Sequence, residues 1–541
     1  MDIHDLKYDY DSSEFKVSED KFKVYGHENE LLHKHILKTN KIFHVLEKSN
    51  IIDNYYDFFY NEKIISIDKK KFLELINTFI QYHDMGKLSF NFQINRLNTD
   101  NKTKKLNNNG ENQLKILKKY EIDSFIEEFD LKHSLVGGLL FITYLFKENI
   151  EDNLVFLLFA YAIYGHHSNL KDIIKEENFV WGIKPSSDVT YNTFKIISEY
   201  IFKNSEKYNF NKYQKIQKNF ADLLNNFDNN ILSKLSFFYS YIYSLLISAD
   251  VIASSYYDLN SNEIPLDQWN NRITPSLLSD MNNTFNNLQI NKNNNIQINK
   301  NIESITEINS LRKAMLLESS QNLVNNLKSE NPSKVFFLNM PTGSGKTNTS
   351  IRLALDLLNS EDIDRIFYIV PFINIIEQNY EIIKDSLNLS EENGEIRGLY
   401  SALETLLEGS NKEKLKYIMK DDFADIPVVC TTFVSFFNSI IKNKKRNKYK
   451  LASLTNSVVI IDEIQSLPLK NWNSLYYLIN ELAENYNTYF IIMSATLPDF
   501  NQLKIDKNTK FNYNICNLIK NPKKYFDHYL FDRTEIKEFK E

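Results

Sequence analysis

The apolar positions of this chain change period near residue 305. Before it, Phe72, Ile76, Phe79 and His83 recur at helical spacing, as do Leu73, Ile76, Ile80, Asp84 and Lys87. Longer apolar runs at 154–164, ending before Gly165, and at 237–253 read as buried helices. Residues 1–265 are therefore expected to be mostly helical. After residue 305, short apolar runs at 335–339, 365–370, 427–431, 458–461 and 489–493 alternate with helical segments, one of them at 349–358. That alternation predicts an α/β lobe with a parallel sheet over 306–520. The Asn- and Lys-rich stretch 99–112 reads as an exposed loop. A second Asn-rich stretch, 281–301, falls in an expected linker over 266–305. Residues 521–541 read as a tail or the start of a further lobe, and no internal repeat is visible.

Composition narrows this picture. A chain of 541 residues holds two or three domains, and 43% hydrophobic with 13% aromatic residues exclude a disordered protein. Cys430 and Cys516 give no disulfide framework and fit a reducing cytoplasm. The N-terminal MDIHDLKYDYD is acidic and polar, unlike a signal peptide. The run 237–253 carries Ser240, Ser244, Ser248 and Asp250, which suits a buried helix and not a membrane span. A net charge of −6 gives no global signal for nucleic acid, so binding would use local patches. The basic run from Lys442 to Lys450 suits contact with phosphates, and equally a solvated loop.

Two sets of residues carry chemistry. The loop after the 335–339 strand holds Gly343, Ser344, Gly345, Lys346 and Thr347. Its glycines let backbone N–H groups turn toward phosphate oxygens at a helix N-terminus. Lys346 is placed to reach the β- and γ-phosphates of ATP, and the Thr347 hydroxyl to bind Mg²⁺. Met340 stands where the strict pattern has glycine. Asp462 and Glu463 end the 458–461 strand and suit Mg²⁺ coordination and orientation of the attacking water; their bland reading is a helix cap. Ser494-Ala495-Thr496 follows another strand and suits sensing of the nucleotide state.

The second set is His83-Asp84, His133, His166-His167 and Asp250, each next to an apolar helical segment. A buried carboxylate such as Asp250 is unfavourable unless paired or metal-bound. Imidazoles with carboxylates suit Mn²⁺, Fe²⁺, Co²⁺, Ni²⁺ or Zn²⁺. His35, within Leu32-His33-Lys34-His35-Ile36-Leu37, reads as a further ligand. His27, His33 and His44 read as surface residues. Lys87, one turn beyond His83, suits stabilisation of a charged transition state or protonation of a leaving group; its bland reading is a helix-surface lysine.

The second half resembles the first RecA-like lobe of superfamily 2 helicases over roughly residues 306–500. By that resemblance, Ile369-Val370-Pro371 through Gln378 and Thr431-Thr432-Phe433 touch a nucleic-acid backbone. Gln465 departs from the His or Asp usual at its position. The order H-D…H…HH…D resembles the HD nuclease domain of type I CRISPR-associated nuclease-helicases. Leu32 to Leu37, His83-Asp84-Met85-Gly86-Lys87, Gly165-His166-His167, Ser248-Ala249-Asp250 and Asp462-Glu463-Ile464-Gln465 followed by Ser466-Leu467-Pro468 all find counterparts there. The resemblance implies an all-α HD-type domain followed by a RecA-like lobe. It further implies one metal on His35, His83, Asp84 and Asp250, and another on Asp84, His133, His166 and His167. The implied activity is ATP-coupled degradation of single-stranded DNA after recruitment to an RNA-guided surveillance complex, without a membrane. Two other readings stand beside it: an HD phosphohydrolase of free nucleotides with a regulatory ATPase lobe, and a non-catalytic docking subunit gated by ATP. A second RecA-like lobe needs roughly 150 residues. The stretch after Pro498 is far shorter, so strand movement is expected to need that lobe in trans.

Overall fold

The computed structural model describes residues 15–97, 105–119, 133–145, 150–170, 189–256, 266–288, 302–399, 421–495 and 514–531. Within those spans, 18–19, 28–29, 203–205, 207, 212–213, 215–226, 267–268 and 469–470 are excepted. The chain forms two compact units. The first is Met1–Trp269 together with Lys442–Ala452, and the second is Asn270–Ile441 with Ser453–Glu541.

The first unit is built on helices. They include α1 (Leu32–Leu46), α2 (Ser49–Asn61), α3 (Lys69–Tyr82), α4 (Asn108–Lys119), α5 (His133–Leu145), α6 (Ile150–Gly165) and α7 (Asn229–Ser255). Helix α7 has no Gly or Pro to interrupt it, and Asp228 starts it by accepting from the Ile231 N–H at 2.9 Å. Asp68 caps α3 in the same way through Lys71, an interaction typically worth ~1 kcal/mol. Helices α1 and α6 pack on α7, and α5 packs on α6. Their interior is aromatic: Phe79 lies 4.9 Å from Phe159, Phe59 5.1 Å from Phe238, and Phe159 5.6 Å from Phe238, centroid to centroid. Helix α7 is long and apolar enough to cross a membrane, but most of its apolar surface is buried inside this unit.

Two glycines set the spacing that the chemistry requires. A Cβ on Gly137 would meet the Tyr82 carbonyl oxygen at 2.5 Å, and one on Gly86 would meet the His133 carbonyl oxygen at 1.9 Å. Helix α5 thus lies directly against the end of α3, which brings His133 to His83 and Asp84.

The second unit is a seven-stranded sheet in which every neighbouring pair is parallel. Its strands are β1 (Val335–Asn339), β2 (Arg365–Val370), β3 (Ile396–Leu399), β4 (Val428–Thr432), β5 (Ser457–Ile461), β6 (Thr488–Ser494) and β7 (Ile515–Asn517). Their order is β7-β1-β6-β5-β2-β4-β3. The helices accompanying them include α8 (Pro275–Asn287), α9 (Ile308–Leu327), α10 (Lys346–Ser360), α11 (Ile373–Leu387), α12 (Phe433–Ile441) and α13 (Trp472–Tyr486). Strands β1, β2, β5 and β6 end at one edge of the sheet, so the phosphate loop, Pro371, Asp462 and Ser494 share that edge. Ligands gather at such an edge in open parallel sheets. At the opposite end of β2, Arg365 makes a buried ion pair with Asp425 at 2.9 Å, and the Asn270 N–H donates to Asp425 at 2.9 Å.

Three expectations need adjustment. The stretch 99–112 is helical from Asn108 onward, because Asn107 caps the turn by accepting from the Gly110 N–H at 2.9 Å. Part of the 281–301 stretch is helix too: Thr274 caps α8, Pro275 opens it, and Met281 and Phe285, one turn apart, are buried. Strand β4 begins at Val428 instead of Pro427, since proline has no N–H for the ladder. Residues 98–104, 289–301 and Thr496 lie outside the described residues.

Candidate metal centre and nucleotide site

In the first unit, Asp84 is fully buried and stands between two groups of imidazoles. Its Oδ2 faces His35 Nε2 at 3.3 Å and His83 Nε2 at 3.5 Å. Its Oδ1 faces His133 Nε2 at 3.3 Å and His166 Nε2 at 3.5 Å. Asp250 Oδ1 joins the first group, 3.2 Å from His35 Nε2 and 3.9 Å from His83 Nε2. His167 joins the second, its Nε2 lying 2.8 Å from that of His133. In each group the candidate ligand atoms lie within 4.8 Å of one another.

Backbone carbonyls set the imidazole tautomers. His83 Nδ1 donates to the Ile80 carbonyl and His166 Nδ1 to the Ile163 carbonyl, both at 2.6 Å. Each Nε2 is then a bare lone pair, and both are buried without a well-formed hydrogen bond. Orphaned lone pairs aimed at a shared carboxylate are what a pair of divalent ions would satisfy, so the residues present fit such ions. Burial holds His83 down to about 4 and also lowers His133 and His167, keeping these rings neutral as ligands. Burial pushes Asp84 upward. The Lys87 ammonium, 2.7 Å from Asp84 Oδ2, outweighs it and holds the carboxyl well below its ordinary range. Burial likewise opposes ionisation of Asp250, and the hydrogen bond with His35 at 3.2 Å prevails over it and holds the carboxyl well below its ordinary range.

Several neighbours were not evident from sequence. Glu30 is buried, and its Oε2 lies 3.3 Å from His35 Nδ1. Burial lowers His35, but the hydrogen bonds to Asp250 and Glu30 prevail and carry it to about 9. Lys87 is buried, not on a helix surface; its ammonium lies 2.7 Å from Asp84 Oδ2 and donates to the Gly26 carbonyl at 3.0 Å. His27 is not a surface residue either: it is half-buried, with its ring 4.6 Å from that of His35. His33 is half-buried, and His44 is exposed.

In the second unit, Gly343 (φ 78°) and Gly345 (φ 85°) take left-handed conformations that let the phosphate loop close before α10. Ser344 Oγ and Lys346 Nζ are buried without a hydrogen-bond partner, as expected of a cradle for phosphate. Lys346 Nζ lies 3.4 Å from Glu463 Oε1. Tyr368 donates to Asp462 Oδ2 at 3.1 Å, while burial and the neighbouring Glu463 raise the Asp462 carboxyl. Met340 is fully buried, so the place where the strict pattern has glycine serves the core here. Arg312, which sequence did not single out, donates to the Gly343 carbonyl at 3.0 and 2.7 Å and braces the loop. Gln465 joins Ser494 to Glu463: it accepts from the Ser494 hydroxyl at 2.6 Å and donates to the Glu463 carboxylate. Glu463 itself has a positive φ of 50°.

The two halves are a mostly helical HD-type domain followed by a RecA-like lobe built on a parallel sheet. Residues 21–257 match the family described as the Cas3 HD domain, and residues 314–499 match that of the type III restriction enzyme res subunit. The CRISPR-associated nuclease/helicase Cas3 of Haloferax volcanii is 30% identical over 178 residues, 30% of this chain and 19% of that protein. Crystal structures of T. fusca Cas3 share the fold. One superposes with a TM-score of 0.53 at 15% identity, and one with AMPPNP at 0.52 and 14%; both cover 86% of this chain. The chain resembles the Cas3 nuclease-helicases in both of its units, and spans about half the length of those two solved relatives.

Proposed function

We propose that this chain is a metal-dependent nuclease of single-stranded DNA joined to an ATP-binding helicase lobe, working in RNA-guided antiviral defence. The observation that carries the reading is the position of Asp84, one carboxylate oxygen toward each histidine group. In this assignment His35, His83, Asp84 and Asp250 hold one divalent ion, and Asp84, His133, His166 and His167 hold the other. Such a pair, when bound, activates water and neutralises charge on the departing oxygen of a phosphodiester. Glu30 keeps a proton on His35 Nδ1, so that Nε2 turns toward Asp84 and Asp250. Lys87 offsets the negative charge of Asp84. The ATP site is Gly343 to Thr347 with Asp462 and Glu463, and Gln465 relays between Glu463 and Ser494. Residues 1–265 with the strip 442–452 are assigned to the nuclease domain, 266–305 to a connector whose helix α8 packs with the second unit, the rest of 306–520 to the ATPase lobe and 521–541 to a tail. The sequence resemblance to CRISPR-associated nuclease-helicases makes an RNA-guided surveillance complex the proposed partner.

The test is reconstitution with Mn²⁺ and incubation with circular single-stranded DNA, in parallel with free nucleoside triphosphates. Metal-dependent cutting of the circle without ATP supports the reading. Turnover of nucleotides with intact DNA would replace it by a nucleotide phosphohydrolase.

A further inference from the structure

The basic run Lys442–Lys450 lies between α12 and β5 in sequence, yet it packs as part of the first unit. Four hydrogen bonds fix it there. The Leu170 N–H donates to the Asn443 carbonyl at 2.8 Å, and the Lys445 N–H donates to Asn169 Oδ1 at 3.2 Å. The Ser244 hydroxyl donates to the Lys448 carbonyl at 2.7 Å and accepts from the Ala452 N–H at 3.1 Å. The anchors are not arbitrary. Asn169 lies two residues past His167, and Ser244 lies on α7, less than two turns before Asp250.

This arrangement places Lys445 at one particular side of the metal centre. Of the clustered residues, His35, His83, Asp84, His166 and Asp250 are buried, His133 is half-buried and His167 is exposed. The centre therefore opens at His133 and His167, and the segment is fastened to the loop that follows His167. The Lys445 side chain is half-buried, and burial lowers its ammonium from the ordinary lysine value against the raising influence of Asp250 and Asp84. Among the described residues that ammonium has no ion pair. Lys448, three residues on, is buried with its backbone tied to Ser244, as befits an anchor. A half-buried cation on a segment fastened beside His167, at the open side of the candidate metal centre, is suited to an incoming phosphate.

We propose that Lys445 is a substrate-binding residue of the nuclease centre, supplied by a segment of the helicase half of the sequence, and that it holds a backbone phosphate of a nucleic-acid strand at the His133–His167 opening. The proposal rests on the nuclease reading above for the identity of the reaction, while the binding site stands on the placement of the segment. A purely structural lysine would instead balance the negative charge of Asp84 and Asp250 and would affect metal retention.

The experiment compares the full chain with Lys445→Ala, Lys445→Arg and, as a control, Lys41→Ala, an exposed position on α1. Three quantities are read: Mn²⁺ stoichiometry, KM and kcat for a short single-stranded oligonucleotide, and the Ca²⁺-dependent part of its binding by fluorescence anisotropy. Loss of one charged phosphate contact should weaken binding and raise KM about tenfold, and lower the salt slope by roughly 0.7. Mn²⁺ content should stay unchanged, Lys445→Arg should recover most of the affinity, and Lys41→Ala should behave as the parent. Unchanged binding in Lys445→Ala, or a loss accompanied by lost Mn²⁺, overturns the proposal. If the parent chain cuts nothing with Mn²⁺, the nuclease reading falls, and the anisotropy comparison still decides whether Lys445 binds the strand.

Discussion

The Ser494 hydroxyl donates to the Gln465 side-chain carbonyl at 2.6 Å, and the amide of the same glutamine reaches Glu463. The end of β6 is thereby connected to the carboxylate that would orient water at the nucleotide. Gln465→Ala is expected to leave ATP binding within about threefold and to lower hydrolysis about tenfold, of the size of losing one positioned catalytic hydrogen bond. Nucleotide titration and steady-state phosphate release with single-stranded DNA check this. Weakened binding at an unchanged turnover rate would contradict the relay.

Lys346→Ala should behave in the opposite manner. Its ammonium is buried in the phosphate loop, so its loss is expected to weaken ATP binding at least tenfold. Cutting of single-stranded DNA in Mn²⁺ should be spared, because the candidate metal ligands all belong to the first unit. Loss of both activities at an unchanged melting temperature would argue against this independence.

Asp84→Asn, Asp250→Ala and His166→Ala should separate the two ion positions. Because Asp84 faces both groups, its variant is expected to retain little of either ion and to lose cutting by more than about a thousandfold. Each of the others should lose one ion and keep the second. Direct metal analysis after desalting reads the stoichiometry. Full loading of Asp84→Asn would rule out a shared carboxylate.

Gly86→Ala tests the approach of α5 to α3. The new Cβ would sit 1.9 Å from a backbone oxygen, so the backbone must shift. Overpacking of this kind typically costs about 1–3 kcal/mol, and here it also displaces His133. Lower stability to urea together with reduced Mn²⁺ content is expected. A variant with normal stability would show that α5 can withdraw without consequence.

Arg365→Ala strands the buried Asp425 carboxylate in the second unit. Removing one partner of such a pair costs about 3–5 kcal/mol. The melting transition should drop by many degrees, and Arg365→Lys, which keeps a cation beside Asp425, should recover part of it. An Arg365→Ala variant melting like the parent would mean that water replaces the guanidinium.

Much of this architecture is legible in the chain because burial imposes a period. The runs at 335–339 and 365–370 become β1 and β2 residue for residue, and each motif after a strand lies at the same sheet edge. Residues 35, 83, 84, 133, 166, 167 and 250 come together because each is tied to a buried helix or its end. Composition misled at 281–287, where many asparagines mask the Met281–Phe285 spacing and the Thr274-Pro275 start. Glu30 and Arg312 were illegible for another reason, and Lys445 was legible only as one member of a basic run suited to phosphates. Their roles depend on distances between segments that no local period encodes: Arg312 and Gly343 are 31 residues apart, and Lys445 and Asn169 are 276 apart.

The passage of residues 442–452 into the first unit bears on how the protein can be taken apart. The polypeptide crosses between the units three times, after Trp269, Ile441 and Ala452. A protease that nicks any one crossing leaves two fragments that share no peptide bond and are held together by noncovalent packing within a unit. A gene fragment ending at residue 269 would also lack the strip that pairs with Ser244, Asn169 and Leu170. The smallest faithful metal-site module is therefore not a contiguous stretch of the gene, and isolating it would require grafting 442–452 back on through a linker.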